Sequence, residues 1–418
     1  MLFTKFSKYL FPFSITLVGA LSDYVIRIIL GRYYGPDVLG EFSYILSLSM
    51  ILGSFIILGM HQGLNRIIPL VNIKESICYL KGAYFISFIA FVFVTMIVFL
   101  IDYDNNKIFY SLFIAIFFVL IRLQVSFFSA LRERNIGIIS QEIVNKFIKF
   151  FIFLLLINLL GEYSDFIGKS LLISFLLAYF IIQNIISRKI GPCNCVIHDK
   201  LKYILLVSLP LIIPTIAQQL NGRVEFLILD YYGVNLNDIG LYSASLSIAQ
   251  IILIPAGVIT FSLTANFVKI IAKKAKSKKI KKLILSKMFE NGLISLLIVI
   301  LFFLFGEYFI HLTFGREFLS IYKVTLILII SKSIFAITMP IINLLIGTGR
   351  ARELLMISIL WPILFLCIVI ATDYYGKIDL YNLSLISLSV SVLVALRLIY
   401  FLYNYEVSGL GLERSKNV

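Results

Sequence analysis

The sequence predicts an all-α polytopic membrane protein with about twelve transmembrane helices in two six-helix, pseudo-symmetric lobes. Three observations predict this fold: the apolar composition, a series of apolar stretches long enough to cross a bilayer, and an internal repeat. Of the 418 residues, 60% are hydrophobic and only 14% are charged, and the mean hydropathy is +1.00. Soluble domains are about half apolar and a quarter charged. Because a water-soluble core cannot hide so much apolar surface, much of it must face lipid.

Six apolar stretches of about twenty residues, the length that a helix needs to cross the hydrocarbon core, fill the first half of the chain. The first begins after Lys5 and Lys8 and continues to Leu30 without a small-residue cleavage site. It is therefore predicted to be a span and not a signal peptide. The predicted spans are residues 10–30, 37–60, 79–101, 108–131, 138–160 and 166–187.

The second half contains six more stretches of the same kind. Their connections are short, contain Gly, Pro, Asn and Asp, and leave no room for an extramembrane domain. We therefore divide the chain into an N-terminal six-helix lobe, residues 1–195, and a C-terminal six-helix lobe, residues 196–418. The predicted spans are residues 201–229, 239–261, 283–305, 320–346, 353–372 and 380–404.

Lysine and arginine are concentrated in alternate loops. The loops on the side of the two termini carry 24 of these residues, and the loops on the other side carry six. Because cytoplasmic loops are enriched in Lys and Arg, this bias predicts that both termini are cytoplasmic. It also accounts for the net charge of +15. The lysine-rich stretch 269–287 is then a cytoplasmic loop attracted to anionic lipid headgroups, and no nucleic-acid partner is expected.

No catalytic residue, metal site or cofactor is expected. Cys193, Cys195 and His198 lie close together in sequence, but their spacing matches no standard zinc pattern. No nucleophile with an adjacent base and no phosphate-binding glycine loop is visible. The sequence therefore predicts a protein that is not an enzyme.

The two halves of the chain share two sequence landmarks in the same order. The first closes spans one and seven, at an offset of 198 residues that becomes 200 after two extra loop residues. The second follows spans four and ten. Together they predict a tandem repeat, and because six spans is an even number, both repeats keep the same membrane orientation. The landmarks are IILGRYYG (28–35) with LILDYYG (227–233), and LRER (131–134) with GRAR (349–352).

Residues 31–44 (GRYYGPDVLGEFSY) resemble the "LGR-x-LGP-x-x-xG-x-Y" turn of the polysaccharide flippases in the multidrug/oligosaccharidyl-lipid/polysaccharide (MOP) exporter superfamily. Residues 63–69 (GLNRIIP) resemble the end of their second span, and residues 239–245 (IGLYSAS) resemble a motif of their eighth span. The resemblance covers essentially the whole chain. The sequence departs from the pattern at Glu225, where many relatives carry Asp, and at Asn266, where a Pro often ends the eighth span.

This resemblance implies a Wzx-type flippase with a MATE-like MOP fold. Such a protein moves an undecaprenyl-diphosphate-linked oligosaccharide across the bacterial inner membrane by alternating access, in the biosynthesis of O-antigen, lipopolysaccharide and related polysaccharides. The implied partners are the lipid-linked glycan, membrane lipids, a polysaccharide polymerase and a chain-length regulator.

Ionisable residues within the predicted spans indicate the chemistry of the ligand. Each costs about 2.5 to 3.5 kcal/mol at the bilayer centre on insertion scales. Seven cations against four acids leave three positive charges without an evident partner, and an anion such as a diphosphate would satisfy them. The cations are Arg27, Arg122, Lys146, Lys149, Arg223, Lys332 and Arg397; the acids are Asp23, Glu142, Glu225 and Glu290.

Five of these cations are the expected substrate-binding residues. Arg122 and Lys332 lie near mid-span, where a side chain reaches the interface least easily. Local roles stay open for others, because Arg27 with Asp23 and Lys146 with Glu142 are each four residues apart on one helix. Arg397 can extend to the membrane interface. The expected substrate-binding residues are Arg27, Arg122, Lys146, Arg223 and Lys332.

Four residues are predicted to form a gate or to couple ions: Asp23, Arg27, Glu142 and Glu225. The repeat places Arg27 opposite Glu225 and Asp23 opposite Asn221. We therefore predict that Arg27 and Glu225 approach in the inward-open state and separate when the cleft opens outward. The alternative is that Arg27 pairs with Asp23 in its own helix, while Glu225 pairs with Arg223 or faces polar neighbours.

Two other functions stay open at this stage. A drug/cation antiporter of the same superfamily would need a cavity with an excess of carboxylates. A membrane polysaccharide polymerase or glycosyltransferase would need a large external loop, whereas the predicted external loops are short. The excess of intramembrane cations favours the flippase.

Overall fold

The computed structural model describes residues 2–101, 106–131, 139–160, 165–190, 198–260, 263, 277–348, 350–375 and 378–405. Within these ranges the chain is helical and contains no β-strand. The helices of the first 190 residues are α1 (Leu2–Ile29), α2 (Gly35–Ile57), α3 (Met60–Ile67), α4 (Ile73–Ile101), α5 (Asn106–Ala130), α6 (Lys149–Leu160) and α7 (Phe166–Ile190), with a π-helical segment at Ile139–Ile148 before α6.

The remaining helices follow a similar plan, with several short helices in place of single long ones. They are α8 (His198–Ser208), α9 (Ile212–Leu220), α10 (Val224–Tyr231), α11 (Leu236–Gln250), α12 (Leu253–Thr260), α13 (Ser277–Thr313), α14 (Tyr322–Gly347), α15 (Ala351–Tyr375) and α16 (Leu380–Tyr403).

The predicted spans are helical in the structure. Within the described ranges, nine stretches are long and apolar enough to cross a membrane. The first of them, Leu17–Ile57, covers most of both the first and the second predicted span. The fifth predicted span consists of the π-helical segment and α6, and the eighth begins with α11 and α12. Because two predicted spans are joined in one stretch and two others are interrupted, the described ranges contain nine long apolar stretches and not twelve.

The chain divides into two compact units, Met1–Gly240 and Leu241–Val418. In the first unit, α5 packs against α2, α3 and α7, while α8 packs against α3 and α4. The short helices α9 and α10 both pack against α2. The seventh predicted span therefore lies with the first unit here. The lobe boundary at residues 195 and 196 follows from the repeat and stays a prediction.

The second unit is held together by α14, which packs along α13 and α16. A hydroxyl seam joins α14 to α16: the Ser331 hydroxyl lies 2.8 Å from the Ser391 hydroxyl and 3.3 Å from the Ser387 carbonyl oxygen. Small hydroxyl side chains let membrane helices approach closely and add hydrogen bonds between them. Long polar side chains are not needed for this contact.

The helices α4 and α13 have mostly apolar, outward-facing surfaces. In the most apolar stretch of α4, only 17% of the residues are buried within the protein, and in that of α13 only 22% are buried. Exposed Phe88 and Phe93 on α4, and Phe303 and Phe305 on α13, show the kind of side chain involved. Such surfaces are suited to lipid and would be unfavourable in water.

The second and seventh predicted spans are both broken. The second bends at Leu58 and Gly59, whose φ angles are +46° and +71°. The seventh contains a 3₁₀ segment, Leu209–Leu211, between α8 and α9. A Cβ atom at Gly59 would lie 2.9 Å from the carbonyl groups of Ser208 and Leu211. The two breaks therefore pack directly against each other.

The turns that follow spans one and seven have the same backbone feature. Gly35 has φ +87° and Gly233 has φ +69°, both in the left-handed region that side chains avoid. These glycines are 198 residues apart, the offset of the predicted repeat. The repeated sequence thus encodes a repeated turn.

Candidate functional site

A second break in the seventh span places an arginine inside the first unit. The helix α9 ends at Leu220, Asn221 is extended, Gly222 has φ +77°, and α10 begins at Val224. Arg223 is the residue that precedes α10. Non-helical backbone at membrane depth is tolerated where it is buried in protein or lines a polar cavity, and such breaks often carry ligand sites.

Arg223 has only neutral hydrogen-bond partners among the described residues. Its Nε donates to the Met50 Sδ at 3.0 Å, and its Nη1 donates to the Gln219 carbonyl oxygen at 3.4 Å. No carboxylate lies within ion-pairing distance in the described part of the chain. A thioether is a weak acceptor, so most of the hydrogen-bonding capacity of this guanidinium is unused.

Arg122, in the middle of α5, likewise has neutral groups as its partners among the described residues. Its guanidinium lies 5.9 Å from the centre of the Phe118 ring. With the Gln219 amide turned so that its oxygen faces Arg122, both Nη atoms donate to this oxygen, with the Nη2 bond at 3.2 Å. This orientation of the amide is the one that satisfies both groups. Among the described residues, Arg122 also has no carboxylate partner.

Arg27 on α1 adds a third guanidinium. It donates to the Ser43 hydroxyl at 3.2 Å and lies 5.6 Å from the centre of the Phe42 ring. Asp23, one turn earlier on α1, interacts electrostatically with it. Arg27 is therefore held between α1 and α2, with the partly compensating charge that the sequence suggested.

The three arginines form one electrostatic cluster, which we call the arginine cluster: Arg27, Arg122 and Arg223. The charges of Arg122 and Arg27 both act on Arg223, and among the described residues Asp23, which is exposed, is the acid whose charge opposes them. The cluster thus carries an excess of positive charge inside an apolar unit. Guanidinium groups bind phosphate through paired parallel hydrogen bonds, so the arrangement is chemically suited to a phosphate or diphosphate.

Lys146 has a local partner instead. Its Nζ lies 2.8 Å from the Glu142 Oε2, which is the local pair that helical spacing left open; a role of Lys146 in substrate binding stays a prediction. Glu142 is 5% exposed, and it packs so closely on α1 that a Cβ at Gly19 would overlap its carboxylate. Lys149 lies 4.1 Å from the centre of the Phe175 ring. These contacts tie the π-helical segment and α6 to the rest of the first unit.

Glu225 is fully buried on α10, and within the described ranges neither of its carboxylate oxygens has a hydrogen-bond partner. The structure therefore joins it neither to Arg27, which donates to Ser43, nor to Arg223. The predicted approach of Arg27 and Glu225 concerns the inward-open state and stays a prediction.

The remaining predicted cations belong to the second unit. Lys332 lies on α14 with a half-buried side chain. Arg397 is exposed near the end of α16, and its guanidinium lies 5.6 Å from the centre of the Tyr400 ring. An exposed arginine stacked on a tyrosine near a helix end is typical of a side chain that extends to the membrane interface.

Some sequence landmarks lie outside the described residues. They include Arg132 and Arg134, Cys193 and Cys195, and the lysines of residues 269–276. In the part of the chain that the structure describes, no group of three or more His, Cys, Asp or Glu side chains could hold a metal ion.

Gln219 and Met50 were not predicted as site residues. Both are neutral, and the search along the sequence was for charges. A weak indication existed, because Gln218, Gln219 and Asn221 form an unusually polar group within an apolar span. Their contact with Arg122 depends on the packing of distant segments, which the sequence does not show.

No family model matches the chain, and no curated protein matches it in sequence. Solved structures resemble it over nearly its whole length. The lipid II flippase MurJ, in an inward closed conformation, matches with a TM-score of 0.74 at 11% identity, over 94% of this chain and 88% of that chain. An inward-facing multidrug resistance MATE family transporter of the MOP superfamily matches with a TM-score of 0.64 at 13% identity, over 94% of this chain and 98% of that chain.

A MOP superfamily transporter from Pyrococcus furiosus, whose binding pocket of reversed polarity suggests a different function, also matches. Its TM-score is 0.60 at 14% identity, over 96% of each chain. At these identities the likeness shows the fold alone. The chain has the MOP fold of MATE and MurJ transporters, and the predicted fold class is confirmed.

Proposed function

We propose that this protein is a flippase that moves an undecaprenyl-diphosphate-linked oligosaccharide across the bacterial inner membrane by alternating access. The observation that carries this proposal is the pair Arg122, in α5, and Arg223, at the break before α10. The hydrogen-bond partners of both arginines among the described residues are all neutral. Lys332, in the second unit, is proposed as a further contact for the substrate.

The energetics of these two arginines favour an anionic ligand. An arginine in the bilayer centre costs about 2.5 to 3.5 kcal/mol on insertion scales, and neutral acceptors recover only part of the loss. Hydrogen bonds to ionised acceptors are about twice as strong as neutral ones. A diphosphate has enough oxygens to engage two guanidinium groups at once, so it compensates both charges while it is bound.

The fold supports transport of a lipid-linked molecule. One structural neighbour is a lipid II flippase, and the others named above are transporters of the MOP superfamily. We propose that the substrate of this chain is likewise lipid-linked, and that its glycan belongs to O-antigen or a related surface polysaccharide. A polysaccharide polymerase and a chain-length regulator are proposed as partners, with both termini in the cytoplasm.

A drug or cation antiporter is the competing function, since several neighbours are MATE transporters. A cationic drug would be attracted by free carboxylates. In the described spans of the first unit, Glu142 is paired with Lys146, and Asp23 lies beside Arg27. Asp37 and Glu41 lie in the first two turns of α2, at the start of that span, and Glu225 is fully buried. The charge around the arginine cluster therefore favours an anion.

Surface-glycan assembly in a bacterial strain that lacks the chromosomal copy tests the proposal. The wild-type protein should restore assembly, whereas Arg122→Ala, Arg223→Ala and Lys332→Ala should abolish it at near-normal membrane protein levels. Arg122→Lys should retain more function than Arg122→Ala, because a positive charge remains. Arg397→Ala serves as the matched control and should restore assembly. Normal export by both Arg122→Ala and Arg223→Ala would overturn the anion site.

A further inference from the structure

We propose that Gln219 is a positioning residue that holds Arg122 and Arg223 in the empty site and is displaced from both by the phosphate oxygens of the substrate. The inference rests on the proposed function, because it assumes that the arginine cluster receives an anion. It adds a neutral residue whose contacts change when the site is occupied.

The geometry gives Gln219 two contacts with the cluster. Its side-chain oxygen accepts from both Nη atoms of Arg122, with the Nη2 bond at 3.2 Å. Its main-chain oxygen accepts from the Arg223 Nη1 at 3.4 Å. Gln219 is 6% exposed, so water does not readily replace it. One residue thus bridges an arginine on α5 and an arginine at the break between α9 and α10.

Each contact is strong enough to orient an arginine and weak enough to be replaced. The side-chain amide is neutral, and a 3.4 Å bond is at the long end of the hydrogen-bond range. Phosphate oxygens form shorter and stronger bonds to guanidinium groups. A buried arginine with no acceptor would be costly, so the amide keeps the empty site stable without competing strongly with the substrate.

A carboxylate at position 219 would prevent phosphate from binding to the arginine cluster. Glutamate has nearly the same shape as glutamine but would form a charge-assisted bidentate pair with Arg122. That pair would neutralise the cluster and exclude phosphate. Because Gln219 is neutral, the arginines stay available to an anionic ligand and are not neutralised by an internal ion pair.

The neighbouring Gln218 provides a matched control. It lies on the same helix, one residue earlier, but its side chain is exposed. A Gln218→Glu variant adds the same charge to α9 without the bidentate contact to Arg122. This variant therefore measures the long-range repulsion between an added carboxylate and the ligand, separately from the effect of a direct pair with Arg122.

The test measures binding of farnesyl diphosphate, a short polyprenyl diphosphate, to the full-length protein in lipid nanodiscs by isothermal titration calorimetry. Gln219→Glu should weaken binding at least about tenfold, since it replaces a neutral acceptor by a charged one. Gln219→Leu should weaken binding by less, about threefold to fivefold, because it removes the acceptor that orients Arg122 but adds no charge that competes with phosphate. Gln218→Glu should bind within about threefold of wild type, because its carboxylate does not reach Arg122. Wild-type affinity in Gln219→Leu would show that the amide does not position the arginine. Thermal unfolding of every variant verifies that it is folded.

The outcomes separate this inference from the proposed function. If Arg122→Ala and Arg223→Ala lose binding but Gln219→Glu binds like wild type, the role of Gln219 is wrong and the anion site stands. If Gln219→Leu loses as much affinity as Gln219→Glu, Gln219 is only a structural residue and the inference is overturned. If the two alanine variants bind like wild type, the anion site itself is wrong.

Discussion

Gly40 and Gly240 lie backbone against backbone at the starts of α2 and α11. A Cβ atom on either glycine would lie 3.0 Å from the amide nitrogen of the other. Each glycine also lies against the turn that precedes the other. A Cβ at Gly40 would overlap the Leu236 carbonyl oxygen, and a Cβ at Gly240 would overlap the Pro36 carbonyl oxygen. The two glycines are 200 residues apart, the offset of the predicted repeat, so each lies against the residue that the repeat aligns with it.

The first prediction concerns this glycine contact. Gly40→Ala should lower the unfolding temperature and reduce glycan export, because the methyl group forces α2 and α11 apart and overpacking costs about 1 to 3 kcal/mol. Gly257→Ala on α12 is the control, since nothing lies within 4 Å of a Cβ at that position. Thermal unfolding of the purified variants, together with surface-glycan assays, measures the difference. Equal behaviour of the two variants would show that the close approach has no consequence.

The second prediction concerns the gate. Arg27→Glu and Glu225→Arg should each impair export, and the double exchange should restore part of it if the two residues pair during transport. Coupling energies between contacting charged groups are about 0.5 to 3 kcal/mol, which such a cycle can detect. Glycan export is measured for the wild type, the two single variants and the double variant, which together form a double-mutant cycle. Strictly additive defects would exclude the pair.

The third prediction compares two ion pairs. Glu142→Gln should lower the unfolding temperature clearly, because it leaves Lys146 without its partner in a largely buried setting where breaking a pair costs up to about 3 to 5 kcal/mol. Glu290→Gln breaks the more exposed pair with Lys287, at 2.6 Å, and should cost only about 0 to 1 kcal/mol. A larger loss for Glu290→Gln than for Glu142→Gln would contradict this ranking.

The fourth prediction concerns topology. A reporter fused after Lys282 should report the cytoplasm, and a reporter fused after Gly376 should report the exterior, because the loop charges set each orientation. Paired alkaline phosphatase and fluorescent protein fusions distinguish the two sides. A cytoplasmic result at both positions would be incompatible with twelve spans.

The sequence was sufficient to predict the helical membrane fold and to single out the charged residues of the candidate site. Arg122 and Arg223 could be found because a charge inside an apolar span is costly enough to require a reason. Gly40 and Gly240 could be aligned because their flanking motifs repeat. These features depend on local composition and periodicity, which a single sequence contains.

Other features depend on packing between distant segments. The contact of Gln219 with Arg122 joins residues almost a hundred positions apart. The bend at Leu58 and Gly59 meets the break at Leu209–Leu211 only because α3 packs on α8. The Glu142 and Lys146 pair was predicted as one of two alternatives, since helical spacing permits an ion pair without requiring it.

The most direct test of the central claim is translocation in reconstituted proteoliposomes. An undecaprenyl-diphosphate-linked oligosaccharide with a labelled sugar is placed in both leaflets, and a membrane-impermeant glycosidase is added outside. With the wild-type protein, hydrolysis should proceed beyond the outer-leaflet pool to near completion. With Arg122→Ala it should stop at the level of protein-free liposomes. A wild-type protein that stops at the protein-free level would contradict the account.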